Sequence, residues 1–162
     1  MTPDPKVIIS KAIKGDHEVL TEITKNSKLF WGYSKEQIEI WNTELTITQE
    51  YLEQTETYIL SIANCYIGYY SFLKMNPNEL HLDNMFILPE YIGKGYGKIL
   101  IEDLVDKAKS LGVSKIILDA EPNAEKFYEK YGFEVVGKRG SSIKNRYLPI
   151  MEKILDPKDK FH

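Results

Sequence analysis

Apolar residues recur along this chain at two spacings, every second position in short bursts and every third or fourth in longer runs, and the order of the two predicts the fold. Residues 6–13, "KVIISKAI", are β-branched and bounded by Gly15 and Asp16, which predicts a strand. Asp16 stands as the N-cap of a helix with Val19, Leu20 and Ile23 on one face. Ser34 and Gln37 have capping-box spacing and open a second helix carrying Ile38, Ile40 and Trp41; a third, short helix starts at Thr48. "YILSIA" and "YIGYYSFLKM", with Asn64 and Cys65 as the tight turn between them, predict a hairpin. The turn "NPNE" leads on to "LHLDNMFIL" as a third antiparallel strand. Farther along, Leu100, Ile101, Leu104, Val105, Ala108 and Leu111 fall on one helical stripe, closed by Gly112. "KIILDA" reads as a buried strand, and "PNAEKFYEKYGF" as a helix with Ala124, Phe127, Tyr128 and Tyr131 on one stripe and Gly132 as its stop. Residues 133–138 and 147–155 close the chain as strands, with Pro149, which lacks an amide donor, expected at a strand start, an edge or a bulge. Antiparallel strands, then a βαβ unit, then a closing hairpin make the expected class an α/β protein, three-layer α/β/α with a mixed, mostly antiparallel central sheet.

Composition narrows the function. A chain of 162 residues with 43% hydrophobic residues has the size of a single domain over 1–162, one that buries roughly 68–70% of its unfolded surface. No apolar run approaches a membrane span and "MTPDPK" has no signal-peptide core, so a cytoplasmic protein with no membrane partner is expected. The single cysteine, Cys65, has no thiol partner for a disulfide or a metal site, and no metal is expected. A net charge of -3 offers no basic face to nucleic acid.

The stretch "PEYIGKGYGKIL" carries the chemistry. Gly93, Gly95 and Gly97 lie between a strand and a helix, where backbone amides converge on an anion and the helix N-terminus adds about half a positive charge. Without a ligand, the same glycines make a tight turn with close helix packing. A P-loop needs four residues between its glycines and Ser or Thr after the lysine; Gly93 and Gly97 are separated by three, and Ile99 follows Lys98. A dinucleotide fold needs G-x-G-x-x-G and no hairpin ahead of it, although Asp119 and Glu121 sit near the position of a ribose-binding acid.

Residues 80–137, with "PEYIGKGYGKIL" and then "PNAEKFYEKYGF" one strand later, resemble the GNAT superfamily of acetyl-CoA-dependent N-acetyltransferases. The family's first motif, Arg/Gln-x-x-Gly-x-Gly/Ala, maps to Ile92, Gly95 and Gly97, with Gly93, Lys94, Tyr96 and Lys98 supplying or flanking the other amides that hold the coenzyme A pyrophosphate. Ile92 departs from the pattern, which removes one side-chain contact but leaves the main-chain grip. The second motif maps Asn123 to the residue that touches the pantetheine arm and Tyr128 to the tyrosine near the thioester sulfur, with Phe127 as a further candidate for binding the coenzyme. The resemblance implies that the strand 80–88 parts from its neighbour, leaving amides of Phe86, Ile87 and Leu88 for the pantetheine and the thioester carbonyl.

On that reading the protein is an enzyme that moves acetyl from acetyl-CoA to a primary amine of a small molecule or peptide by direct transfer. A non-catalytic acyl-CoA-binding module is the alternative, and a homodimer is an option the sequence leaves open. Tyr128 is the candidate acid, against packing as the plain alternative. His81 and Asp83, on one face of the central strand, are candidates for the base or for holding its water. His17 and His162 read as solvent residues. Trp31 and Tyr33 in "LFWGYS" are candidates for the acceptor wall or for core. In "KRGSSIKNRYLP", Arg146 stands near Arg139, Lys144, Ser141 and Ser142, where it meets a substrate carboxylate, a coenzyme phosphate, or only solvent.

Overall fold

The computed structural model describes residues 6–156. They form an α/β fold with a mixed seven-stranded sheet flanked by helices. In chain order the elements are β1 (Val7–Lys11), α1 (His17–Phe30), α2 (Lys35–Ile40), α3 (Asn42–Leu45), α4 (Gln49–Gln54), β2 (Glu56–Ile62), β3 (Cys65–Asn76), β4 (Glu79–Ile87), α5 (Tyr96–Ser110), β5 (Lys115–Asp119), α6 (Glu125–Lys130), β6 (Glu134–Gly140) and β7 (Tyr147–Ile154), with single 3₁₀ turns at Pro89–Tyr91 and Pro122–Ala124. The strand order is β1-β2-β3-β4-β5-β7-β6. The pair β4–β5 is parallel, whereas β1–β2, β2–β3, β5–β7 and β6–β7 are antiparallel. The described residues fall into two compact units, 6–72 with 84–100 and 73–83 with 101–156.

In the first unit, Leu20 and Ile23 on α1 pack with Ile47, Ile59 and Tyr69 in a buried cluster, which is the burial that the helical and strand spacings predict. The Tyr69 hydroxyl is satisfied inside it by Thr24, at 2.6 Å. Ser34 and Thr48 cap α2 and α4, accepting the amides of Gln37 and Tyr51 at 3.0 Å each. Asp16 differs from its expected role: its backbone is already helical, and its carboxylate accepts the Ile13 amide at 2.8 Å and the Tyr66 hydroxyl at 3.3 Å. His17 is half-buried, with Nδ1 shielded and unbonded, where a solvated residue was expected; His162 lies outside the described residues. The hairpin turn is Ala63–Asn64, both at positive φ (50° and 66°), which is the twist-matched two-residue turn, so Cys65 begins β3 rather than sitting in the turn.

In the second unit, Ile101, Leu104, Val105 and Ala108 are buried along α5, and Leu111, beyond the helix end, is exposed. Gly112 takes the left-handed conformation expected of a C-terminal stop, φ +76°. Pro149 is the third residue of β7, opposite Lys138, close to the register shift of β6 between Val135 and Gly137. The tolerance for a missing donor near a strand start and a bulge explains its place.

Gly68 sits at a close approach of two strands in the first unit. A Cβ there lies 2.9 Å from the Phe86 carbonyl oxygen and 3.2 Å from the Ile87 side chain. Gly68→Ala is therefore expected to push the end of β4 off β3 and to cost about 1–3 kcal/mol, as overpacking does. Urea unfolding measures it, and an unchanged midpoint contradicts the close approach.

Candidate active site

The first unit contains the end of β4 and the glycine turn. The Ser27 hydroxyl on α1 donates to the Ile87 carbonyl at 2.7 Å, and the Leu88 amide donates to the Ile67 carbonyl at 2.8 Å. Leu88 thus has its amide engaged by β3, where the resemblance expected an open one. The chain then turns through Pro89–Tyr91, with Tyr91 donating to the Leu88 carbonyl and Ile92 to the Pro89 carbonyl. The Ile92 amide is also committed. Gly93 and Gly95 follow at φ +80° and +89°, a conformation glycine adopts without strain, and beyond their own chain neighbours no atom lies within 4 Å of where their Cβ atoms would stand. The helix α5 starts at Tyr96, so Gly97 and Lys98 belong to its first turn rather than to the loop. The first-turn amides of a helix have no acceptor within it, and the macrodipole makes this end positive. Lys94 lies over the Tyr91 ring at 5.8 Å, and Tyr91 meets Tyr96 edge-on at 5.9 Å, which braces the turn on both sides.

Tyr33 stands edge-on to Trp41 at 5.0 Å, and both rings, with Phe86, surround the Lys28 ammonium at 5.6, 5.7 and 5.7 Å. Tyr33 and Phe86 are brought together by this cation, whereas Trp31 packs edge-on to Phe30 and is partly exposed. Lys28 carries no local sequence signal, since its ring partners are 5, 13 and 58 positions away.

The second unit holds the other candidates. His81 is half-buried and ends the parallel ladder of β4 with β5, which runs from Glu79↔Lys115 to His81↔Ile117; Asp83, two residues on, is exposed. Tyr128 on α6 is buried, with Phe127 and Phe133 edge-on at 5.3 and 5.6 Å. Burial, and secondarily the Glu121 carboxylate, push its phenol well above the ordinary tyrosine range. Asn123 is exposed and donates through Nδ2 to Glu121 Oε1 at 2.9 Å. Arg146 donates to Glu121 Oε2 at 3.0 Å and to Ser141 Oγ at 2.7 Å, so it clamps the 141–146 loop to the turn carrying Asn123 and does not stand in solvent. Glu121, weighed from sequence only as a ribose-binding acid, is the hub of this cluster. Among the described residues no group of three or more His, Cys, Asp or Glu is placed to hold a metal, and no helix is long and apolar enough to cross a membrane.

In chain order, then, a strand end leads through a left-handed glycine turn into a helix, and a buried tyrosine lies on the short helix after the next strand. The model of the acetyltransferase (GNAT) domain matches residues 31–155. The chain belongs to the GNAT acetyltransferase family. Among curated relatives it is 43% identical over 53 residues to a glucosamine 6-phosphate N-acetyltransferase of Trypanosoma brucei brucei, covering 33% of this chain and 36% of that one. It is 32% identical over 92 residues to the uncharacterized N-acetyltransferase YvbK of Bacillus subtilis, covering 55% and 59%. The chain thus spans less than two thirds of either relative's length. Its fold matches that of the PaiA N-acetyltransferase of Thermoplasma acidophilum in complex with coenzyme A, at a TM-score of 0.76 and 23% identity over 93% of this chain and 99% of the other.

In this GNAT chain the raised Tyr128 phenol makes a stability prediction. The folded state keeps its proton while an unfolded tyrosine ionises near pH 10, so this stabilisation is complete below pH 10 and is lost as pH rises above it. Tyr128→Phe removes that titration. The stability of the native protein is expected to fall faster than that of the variant above pH 10, by up to about 1.4 kcal/mol per pH unit. Urea unfolding at a series of alkaline pH values measures it, and parallel curves contradict a buried, shifted phenol.

Proposed function

We propose that this protein transfers the acetyl group of acetyl-CoA to a primary amine of a small molecule or peptide, by direct attack in a ternary complex. The observation that carries the reading is the pair Gly93 and Gly95, both left-handed with open space on the side-chain side, immediately ahead of the α5 N-terminus in a GNAT chain. Successive amides in such a turn form a concave donor surface that suits a pyrophosphate, and a side chain at Ile92 adds little to it.

On this reading Gly93, Lys94, Gly95, Tyr96, Gly97 and Lys98 hold the pyrophosphate. Phe86 and Ile87 offer main chain to the pantetheine and the thioester carbonyl, and Asn123 and Phe127 take the rest of that arm. Tyr33, held on Lys28, walls the acceptor side, with Trp31 at its outer edge. The amine nitrogen forms a bond to the carbonyl carbon as the carbon–sulfur bond breaks, and the nitrogen releases a proton to a water held by His81 or Asp83. Tyr128 serves the departing sulfur. Even at reference pKa values, full proton transfer from a phenol to a thiolate runs uphill by about 2 kcal/mol, and the upward shift of Tyr128 adds to this. Its role is a hydrogen bond that stabilises the leaving thiolate, with the proton passed late.

Incubation with acetyl-CoA and a panel of primary amines, with free thiol monitored, tests the reaction. Amine-dependent thiol release is expected, together with stabilisation by acetyl-CoA of about 2.7 kcal/mol at a hundredfold excess over Kd and little by NAD. Tyr128→Phe should keep acetyl-CoA affinity and lose turnover, by as much as ~10²-fold. Stabilisation without thiol release from any amine supports the non-catalytic binding module instead; equal stabilisation by NAD contradicts both.

A further inference from the structure

Glu121 makes contacts on both carboxylate oxygens, and the two contacts belong to different segments of the second unit. Oε1 accepts the Asn123 amide at 2.9 Å, and Oε2 accepts Arg146 at 3.0 Å. Arg146 also donates to Ser141 at 2.7 Å, the Ser141 amide donates to the Arg146 carbonyl at 3.0 Å, and the Ile143 amide donates to Ser141 Oγ at 3.1 Å. The ion pair is largely buried, with side-chain exposures of 16% for Arg146 and 11% for Glu121. A carboxylate held at one oxygen by a guanidinium that is itself held cannot rotate away from its second contact.

We propose that Glu121 is a positioning residue for donor binding: it fixes the Asn123 amide so that the carbonyl oxygen Oδ1 is the group offered to an N–H of the pantetheine arm. This rests on the reading of Asn123 as a pantetheine contact. The argument is one of donor and acceptor inventory. An ionised carboxylate only accepts, so the asparagine must turn its NH₂ toward Glu121. The flipped amide sets Oδ1 against Oε1, two acceptors with no proton between them. With Nδ2 engaged, Asn123 presents an acceptor outward, and the pantetheine arm, with its two secondary amides, supplies N–H donors. The clamp through Arg146 and Ser141 makes the choice permanent, because reorienting the carboxylate breaks a shielded charge-assisted pair.

A reciprocal exchange tests this with acetyl-CoA affinity by calorimetry as the readout. Glu121→Gln alone leaves an amide facing an amide, and Asn123→Asp alone leaves two carboxylates facing each other. Each is expected to weaken acetyl-CoA binding about tenfold, the scale of one charge-assisted hydrogen bond. In the double variant, Glu121→Gln with Asn123→Asp, the amide now at position 121 accepts Arg146 through its oxygen and donates its NH₂ to the carboxylate now at position 123, which still offers an outward acceptor. Its affinity is expected to return to within about threefold of the native value, that is, within about 0.7 kcal/mol, while melting curves show all three variants folded. A double variant no tighter than the weaker single overturns the inference, as does an Asn123→Asp variant of native affinity. Native affinity in Asn123→Ala overturns it too, but leaves the acetyltransferase reading standing, which fails only if the native protein itself does not bind acetyl-CoA.

Discussion

The last residues of β4 are held from two neighbours at once, and the placement of the glycine turn follows from that. β3 comes within van der Waals contact at Gly68, because any side chain there meets the Phe86 carbonyl, and it takes the Leu88 amide through Ile67. The helix α1 takes the Ile87 carbonyl through Ser27. From Leu88 the chain has one 3₁₀ turn, closed by the Tyr91 and Ile92 amides, before Gly93. A turn of that length transmits the position of a strand directly to the loop after it. The left-handed glycine turn thus sits on a short, hydrogen-bonded stalk rooted in the sheet, and the rings of Phe86, Tyr33 and Trp41 close on Lys28 beside the same root.

The second unit solves a different problem. A buried phenol keeps its proton because burial disfavours the charged form, and the ring packing around it fixes its orientation. Phe127 and Phe133 supply the shielding around Tyr128, and the Glu121 carboxylate reinforces the shift that burial starts. The same carboxylate is balanced by Arg146, which keeps a nearly buried charge from standing alone.

Much of the scaffold was legible because its signals are local. The stripe on α5, the caps at Ser34 and Thr48 and the left-handed stop at Gly112 each depend on residues within one or two turns of one another. The two motifs that mark the family are also contiguous. What sequence reading missed depends on long-range geometry. Leu88 loses its free amide to Ile67, 21 positions earlier, and Arg146 finds its carboxylate 25 positions back at Glu121. The Lys28 cluster draws on a ring 58 positions away. The Ala63–Asn64 turn was displaced by one residue because alanine at positive φ is strained and gives no compositional warning. The start of α5 was placed late because Gly97, in its first turn, is a poor helix former.

Amide hydrogen exchange across 92–99 tests the central claim, that main-chain donors of the glycine turn and the α5 N-terminus grip the pyrophosphate. In the free protein the first-turn amides have no acceptor within the helix and exchange fast. Coenzyme A is expected to slow exchange in this segment, while pantetheine, which lacks the pyrophosphate, leaves it unchanged. Saturating coenzyme A with no slowing across 92–99, or equal slowing by pantetheine, contradicts the account.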